Sequence, residues 1–252
     1  MTEIVDLQAV EIEINSACNR ACSYCPNSVA ERKTKGVMST ELYSTVIAQL
    51  AAINFKGRIS YDFYNEPLLH PKISEFVALT KQQLPECKIH LYSNGTLLSD
   101  KKFRELLVAG VDRFVITRHE EDIDSSNYLF EKTFALLSQE ERSRVQYKKF
   151  TDLTLVNRGG LLRHIAAEGL PLHPCFIPSH MLTVLNDGRV LSCFEDFNED
   201  LVFGDLKSEK LIDIWQKDSY KRFRGDLKKG LRHLYEPCKN CSRRESLPPF
   251  DV

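Results

Sequence analysis

Apolar and polar residues alternate strictly from Val10 to Ile14, the period-two pattern of a strand with one face buried. From Ser39 the period lengthens. Leucine, valine and isoleucine recur at helical spacing to about Ile53, behind a Ser39-Thr40 cap. The exchange of periods repeats down the chain. Strands are predicted over Arg58 to Phe63, Lys88 to Tyr92, Asp112 to Thr117, Val145 to Phe150 and, briefly, Leu153 to Val156. Helices are predicted near Lys72 to Leu84, over Ser99 to Ala109 with Gly110 as the stop, and over Asn127 to Leu137.

Strand and helix alternating every 25–30 residues or so imply parallel βα units. Six such units fall short of an eight-stranded barrel, so the fold class is α/β with an open, partial (β/α)6 barrel. Chemistry in such barrels gathers at the C-terminal strand ends. Those ends carry a cysteine loop after the first strand, Tyr64-Asn65-Glu66-Pro67, Ser93-Asn94, Arg118-His119 and Arg158. Arg118 is expected to face the pocket. After about Gly169 the pattern changes: β-prone arms, Leu182 to Leu185 and Arg189 to Cys193, flank an Asn186-Asp187-Gly188 hairpin turn. Short helices follow over Lys210 to Trp215 and Tyr220 to Leu227. The expected organisation is a partial barrel over residues 1–168 and a small α+β domain over 169–252.

Composition narrows the function. The 252 residues are 42% hydrophobic and 27% charged, ordinary for a globular chain able to bury a full core. A net charge of −1 without a Lys/Arg run argues against a nucleic-acid partner. No stretch reaches the roughly 18 apolar residues of a membrane span, and Met1 to Asp6 has acids where an export signal needs bases. A cytoplasmic, reducing location is expected, where the eight cysteines read as ligands before disulfides. Cys18, Cys22 and Cys25 cannot close a structural zinc site alone, which takes four ligands, but they can hold three irons of a cubane and leave the fourth open. Cys175, Cys193, Cys238 and Cys241 can complete a zinc site or saturate a cubane. Taken alone, such a set favours zinc. Cys87, the eighth, sits at the N-terminal end of the third predicted strand, away from the expected chemistry.

The C-x3-C-x2-C spacing, with Tyr24 just before its third cysteine, resembles the signature of radical S-adenosylmethionine (SAM) enzymes. The pattern Cys175…Gly188-x4-Cys193…Cys238-x2-Cys241 is similar to the shortened auxiliary-cluster (twitch) domain of that superfamily. Tyr92-Ser93-Asn94-Gly95, Asn157-Arg158-Gly159-Gly160 and Cys193-Phe194-Glu195-Asp196-Phe197-Asn198 resemble the radical SAM dehydrogenases of aminocyclitol antibiotic biosynthesis. The resemblance implies two 4Fe–4S clusters, one binding SAM and one auxiliary, and an external one-electron reductant such as flavodoxin or ferredoxin. It also implies oxidation of a secondary alcohol on a polyhydroxylated ring, with the auxiliary cluster as electron acceptor. Glu66 and Pro67 match the superfamily's Gly-Gly-Glu-Pro motif, while Tyr64 and Asn65 replace its glycines. By the same resemblance Tyr24, Asn65, Glu66, Pro67, Ser93, Asn94 and Thr117 surround SAM. Arg158 meets the reacting hydroxyl, and Tyr64, Tyr92 and Glu195 contact substrate. His119 and Trp215 are expected to be structural, and Asp62 and Asp112 are assigned no role. Two rivals remain. A radical SAM epimerase acting through a thiol would have only Cys87 to use, and a zinc-stabilised binding module leaves C-x3-C-x2-C unexplained.

Overall fold

The structure is a computed structural model that describes residues 7–119, 128–165, 173–236 and 238–243. Met1 to Asp6, Asn127, the expected domain boundary at 168/169 and Pro237 lie outside the described residues. Strand β1 (Ala9–Ile12) leads through the cysteine loop to α1 (Thr40–Ala52). Then come β2 (Arg58–Ser60), α2 (Ile73–Gln83), β3 (Lys88–Ser93), α3 (Asp100–Ala109), β4 (Arg113–Arg118), α4 (Leu129–Leu136), α5 (Gln139–Ser143) and β5 (Val145–Lys149). The predicted Ser39 cap forms, and Ser99 caps α3 in the same way. Ser39 Oγ accepts from Leu42 N–H at 3.2 Å, and Ser99 Oγ from Lys102 N–H at 3.2 Å. Gly110 ends α3 at φ +120°, a conformation that favours glycine.

The C-terminal part consists of α6 (Ile177–His180), β6 (Met181–Val184), β7 (Arg189–Leu191), β8 (Val202–Asp205), α7 (Leu211–Gln216) and α8 (Asp218–Lys228). All eight strands join one sheet, in the order β5-β4-β3-β2-β1-β6-β7-β8. Six strands, β1 to β6, run parallel, as an open barrel requires. The sixth is not the expected Leu153 to Val156. That segment follows a tight turn at Phe150–Asp152 and is largely exposed, whereas parallel strands are buried on both faces. The first arm of the hairpin takes its place. Met181–Val184 is fully buried and pairs with the free edge of β1, Val10 opposite Leu182. The C-terminal segment is thus continuous with the barrel sheet.

Alternation sorts each strand into two faces. Val10, Ile12, Ile59, Ile89, Leu91, Phe114, Ile116, Leu182 and Val184 belong to the main core, which α1, α2 and α3 cover. Tyr43 of α1 stacks on Phe76 of α2 at 3.9 Å between ring centroids. The opposite face carries Glu11, Arg58, Ser60, His90, Tyr92 and Thr183, and it is the inside of the barrel rather than solvent. The same parity corrects the expectation for Arg118. It falls with Phe114 and Ile116, turns away from the cavity, and pairs with Glu131 of α4 at 3.1 Å.

Candidate active site

The cysteine loop leaves β1 through Asn15, whose side-chain amide donates to Ala17 O at 2.9 Å and Glu66 O at 3.2 Å. Cys25 N–H donates to Cys22 O at 2.9 Å, and Asn27 Nδ2 donates to Tyr64 O at 2.7 Å. The loop is thereby tied to the turn that follows β2. Cys18, Cys22 and Cys25 line one cavity of about 280 Å³. It also takes in the predicted Tyr24, Tyr64, Asn65, Glu66, Tyr92, Ser93, Asn94, Thr117 and Arg158, together with Asp62, Arg20 and His119. Val115 and Thr117 of β4 point in, as their parity dictates. Pro67 is buried and starts a short turn behind the cavity wall.

Glu66 is an internal brace. Its carboxylate accepts from Ser93 Oγ at 2.8 Å, Asn94 N–H at 2.8 Å and Leu68 N–H at 3.1 Å. Burial nevertheless pushes its pKa above the usual carboxylate value. Ser93 Oγ in turn accepts from Gly95 N–H at 3.0 Å, so this hydroxyl is engaged within the protein. Neither Tyr64 nor Asn65 has positive φ, so the turn does not require the superfamily's glycines. Asn65 instead braces it, accepting from Phe63 N–H at 2.8 Å and donating to Tyr61 O at 3.2 Å.

Tyr24 is buried, with its hydroxyl on His119 Nδ1 and its ring 5.1 Å from Phe150. His119 thus lines the cavity as well as supporting Tyr24. Burial first, then the charges of Arg20 and Arg158, lower its pKa from the usual 6.5 to about 4. Between those values the unfolded chain binds the extra proton, so this group's contribution to stability falls as pH drops through the window. His119→Gln should therefore reduce the loss of stability of the cluster-free chain between pH 7 and pH 5 by about 2 kcal/mol, measured by anaerobic urea unfolding. An identical loss in both proteins would show that His119 is not held neutral.

Arg158 projects into the cavity from a left-handed backbone, φ +49°, followed by Gly159 at +64° and Gly160 at +92°. Asn157 anchors this loop to the last cysteine turn. Its Nδ2 donates to Asn240 O at 2.8 Å, its N–H to Ser242 Oγ at 2.9 Å, and its Oδ1 accepts from Ser242 N–H at 2.9 Å. A Cβ on Gly160 would lie 2.6 Å from Asn240 Cβ, so only glycine fits there. Arg158 Nη1 is 3.4 Å from Glu195 Oε1, and its guanidinium lies 5.9 Å from the centre of the Tyr64 ring. Arg243 donates to the same carboxylate oxygen from Nε at 2.9 Å and Nη2 at 2.7 Å. Glu195 therefore stands behind the cavity wall, between Arg158 and the second cysteine set.

Cys175, Cys193, Cys238 and Cys241 line a second pocket, with Ile177, Pro178 and Leu227 as apolar walls. Burial raises all four thiol pKa values, that of Cys241 to about 11. The donor sets fit the two clusters: three thiols at the larger cavity, and four around a small pocket of their own, with Glu195, Arg232 and Arg243 also in its lining. Ligation must compensate the cost of forming thiolates there, which a metal cluster does.

Sequence reasoning missed Glu11, Asp62 and Arg243. Burial, then the Asp62 carboxylate, pushes the Glu11 carboxyl well above the usual range. Burial likewise raises Asp62. Their signal was the polar half of the alternation, whose destination, solvent or barrel interior, one strand alone does not show. Arg243 gave no signal.

Comparison with known proteins agrees with this geometry. Residues 12–120 match the radical SAM superfamily, and residues 175–242 match SPASM, an iron–sulfur cluster-binding domain. The chain belongs to the radical SAM superfamily, as a dehydrogenase that uses SAM and two 4Fe–4S clusters. It is 39% identical over 233 residues, 92% of each chain, to the S-adenosyl-L-methionine-dependent 2-deoxy-scyllo-inosamine dehydrogenase of Niallia circulans. The structure of BtrN in complex with AdoMet and 2-DOIA matches with TM-score 0.88 and 37% identity, covering 98% of both chains. BtrN in an open conformation matches with TM-score 0.74 and 33% identity, covering 94% of this chain and 92% of the other.

Proposed function

We propose that this dehydrogenase oxidises a secondary alcohol on an amine-bearing polyhydroxylated ring, 2-deoxy-scyllo-inosamine or a close analogue, to the ketone. The observation that carries this is a set of unpartnered polar atoms, on Asp62 and Tyr64 in the cavity lining and on Glu11 and Glu195 behind it. Glu11 Oε2, Asp62 Oδ1, Tyr64 Oη and Glu195 Oε2 are all buried with no hydrogen-bond partner among the described residues. Each such group costs about 1–3 kcal/mol unless a ligand satisfies it. Three carboxylates and a phenol suit an ammonium and several hydroxyls, and the named relative acts on such a molecule.

In this reading Cys18, Cys22 and Cys25 hold the SAM-binding cluster, and Cys175, Cys193, Cys238 and Cys241 the auxiliary one. When bound, these groups supply a 5′-deoxyadenosyl radical and an acceptor for one electron. The substrate alcohol loses a hydrogen atom, a proton and an electron in becoming a ketone. Arg158 stabilises the developing alkoxide by a charge-assisted hydrogen bond. It does not act as the base, because its pKa exceeds about 12. Glu195, held by Arg243, orients Arg158 and binds a substrate hydroxyl or amine through Oε2. Tyr64 and Tyr92 line the ring site. Tyr24, Asn65, Glu66, Pro67, Ser93, Asn94 and Thr117 shape the SAM side, Glu66 and Ser93 as braces. Residues 1–168 form the radical-generating unit and 169–252 the electron-accepting one. The chain works in the cytoplasm with flavodoxin or ferredoxin as reductant. Among the described residues no helix is long and apolar enough to cross a membrane.

The epimerase alternative needs a hydrogen donor at the cavity. Cys87 is fully buried in the main core, just before the N-terminal end of β3, and lines neither cysteine pocket. Anaerobic incubation with SAM, reductant and 2-deoxy-scyllo-inosamine deuterated at the reacting carbon tests the proposal. Label should appear in 5′-deoxyadenosine with one ketone formed per label transferred. Solvent hydrogen at that carbon, with no ketone, would convert the reading to epimerisation.

A further inference from the structure

The stretch that follows the three cysteines holds a buried cation with no part in the chemistry described so far. Arg32 is 6% exposed. Its Nη1 is 2.5 Å from Glu13 Oε1, and its Nη2 is 3.4 Å from Glu13 Oε2 and 3.5 Å from Glu199 Oε1. The guanidinium lies 4.6 Å from the centre of the Phe63 ring and 5.3 Å from that of Phe197. Both rings meet Tyr64 edge-on, at 4.5 and 5.0 Å. Among the described residues Tyr64 Oη has no partner, so the ring's position rests on these aromatic contacts and on Arg158.

Glu199 closes the clasp from the other side. It accepts from Thr34 N–H at 3.0 Å and Thr34 Oγ1 at 2.7 Å, and it pairs with Arg189 Nη2 at 2.5 Å. It holds φ +55° in a non-glycine residue, a strained conformation that surrounding contacts must maintain. Glu13, at the end of the β1 alternation, also accepts from Asn186 Nδ2 at 2.6 Å in the hairpin turn. One buried cation therefore joins the segment after Cys25, the strand end, the hairpin turn and the turn after Cys193. Its aromatic neighbours are the two rings that flank Tyr64.

We propose that Arg32 and Glu199 are positioning residues that hold the segment after Cys25 and the turn after Cys193 in register across Tyr64, so that hydrogen removal and electron removal occur in a single substrate pose. The inference rests on the dehydrogenase reading and assigns it a coupling device. Losing the clasp lets the substrate pocket shift relative to both cysteine sets, and a shift of about 1 Å can cost on the order of a hundredfold in a reaction that depends on alignment.

The test compares wild type, Arg32→Met, Arg32→Lys and Glu199→Gln as reconstituted holoenzymes, with 2-deoxy-scyllo-inosamine as substrate. Arg32→Met should keep both clusters, about eight irons per chain, and a KM for SAM near that of wild type. Its KM for the substrate should rise about tenfold, and ketone formed per 5′-deoxyadenosine should drop about fivefold from the wild-type ratio of one. Arg32→Lys, which keeps the charge but not the fork, should recover part of that ratio. Glu199→Gln should uncouple in the same direction by a smaller factor, and it decides the matter should Arg32→Met fail to fold. Ketone and 5′-deoxyadenosine falling together at an unchanged ratio in these variants would overturn the proposal. So would a loss confined to melting temperature. A wild-type enzyme that makes no ketone refutes the dehydrogenase reading first.

Discussion

Cys193→Ser is expected to bring ketone formation below about a hundredth of the wild-type rate, while 5′-deoxyadenosine still appears. Cys193 sits just beyond β7 in the apolar pocket it shares with Cys175, Cys238 and Cys241. A serine hydroxyl there has no charge to offer an iron, and burial disfavours creating one. The cavity of Cys18, Cys22 and Cys25 is lined by different residues and retains its own donors. Hydrogen loss from the substrate is therefore preserved in part, and the electron has no acceptor. Iron should fall from about eight to about four per chain. Ketone at an undiminished rate on four irons would remove the second site from the reaction altogether.

Arg158→Met is the second large effect, with kcat lowered about 10²–10³-fold and substrate KM changed only a few-fold. The side chain lies between Glu195 and the Tyr64 face, so its charge is directed at the cavity by two neighbours. Methionine keeps the stem and removes the donors, leaving Oε1 of Glu195 to Arg243 alone. Arg158→Lys should fall between the two, because a point charge replaces a planar fork. Steady-state kinetics on the deuterated substrate checks this. A KM rise at unchanged kcat would make Arg158 a binding residue instead of one that acts in the transition state.

The parts legible in the chain were those whose cause is local. Ser39 caps because its own hydroxyl reaches the next turn, and the Asn186-Asp187-Gly188 turn announces itself in its own residues, although Asn186 is also tied to Glu13. The cysteines announce themselves by spacing. The parts that escaped depend on closure of the sheet. Glu11 and Asp62 look like solvent-facing acids until the strands curl and make that face an interior. Arg118 stands at a strand end, where chemistry gathers, and only its shared parity with Phe114 and Ile116 turns it away from the cavity. Leu153 to Val156 has β-prone residues, yet the free edge of β1 went to Met181–Val184, which is buried along its whole length. That competition between distant segments cannot be read from either one alone.

Asn157 carries one more consequence. Through the three hydrogen bonds of Asn157 and the close seat of Gly160 on Asn240, Arg158 hangs from the turn that carries Cys238 and Cys241. On the proposed ligand set, assembling the auxiliary cluster and holding Arg158 in place draw on the same turn.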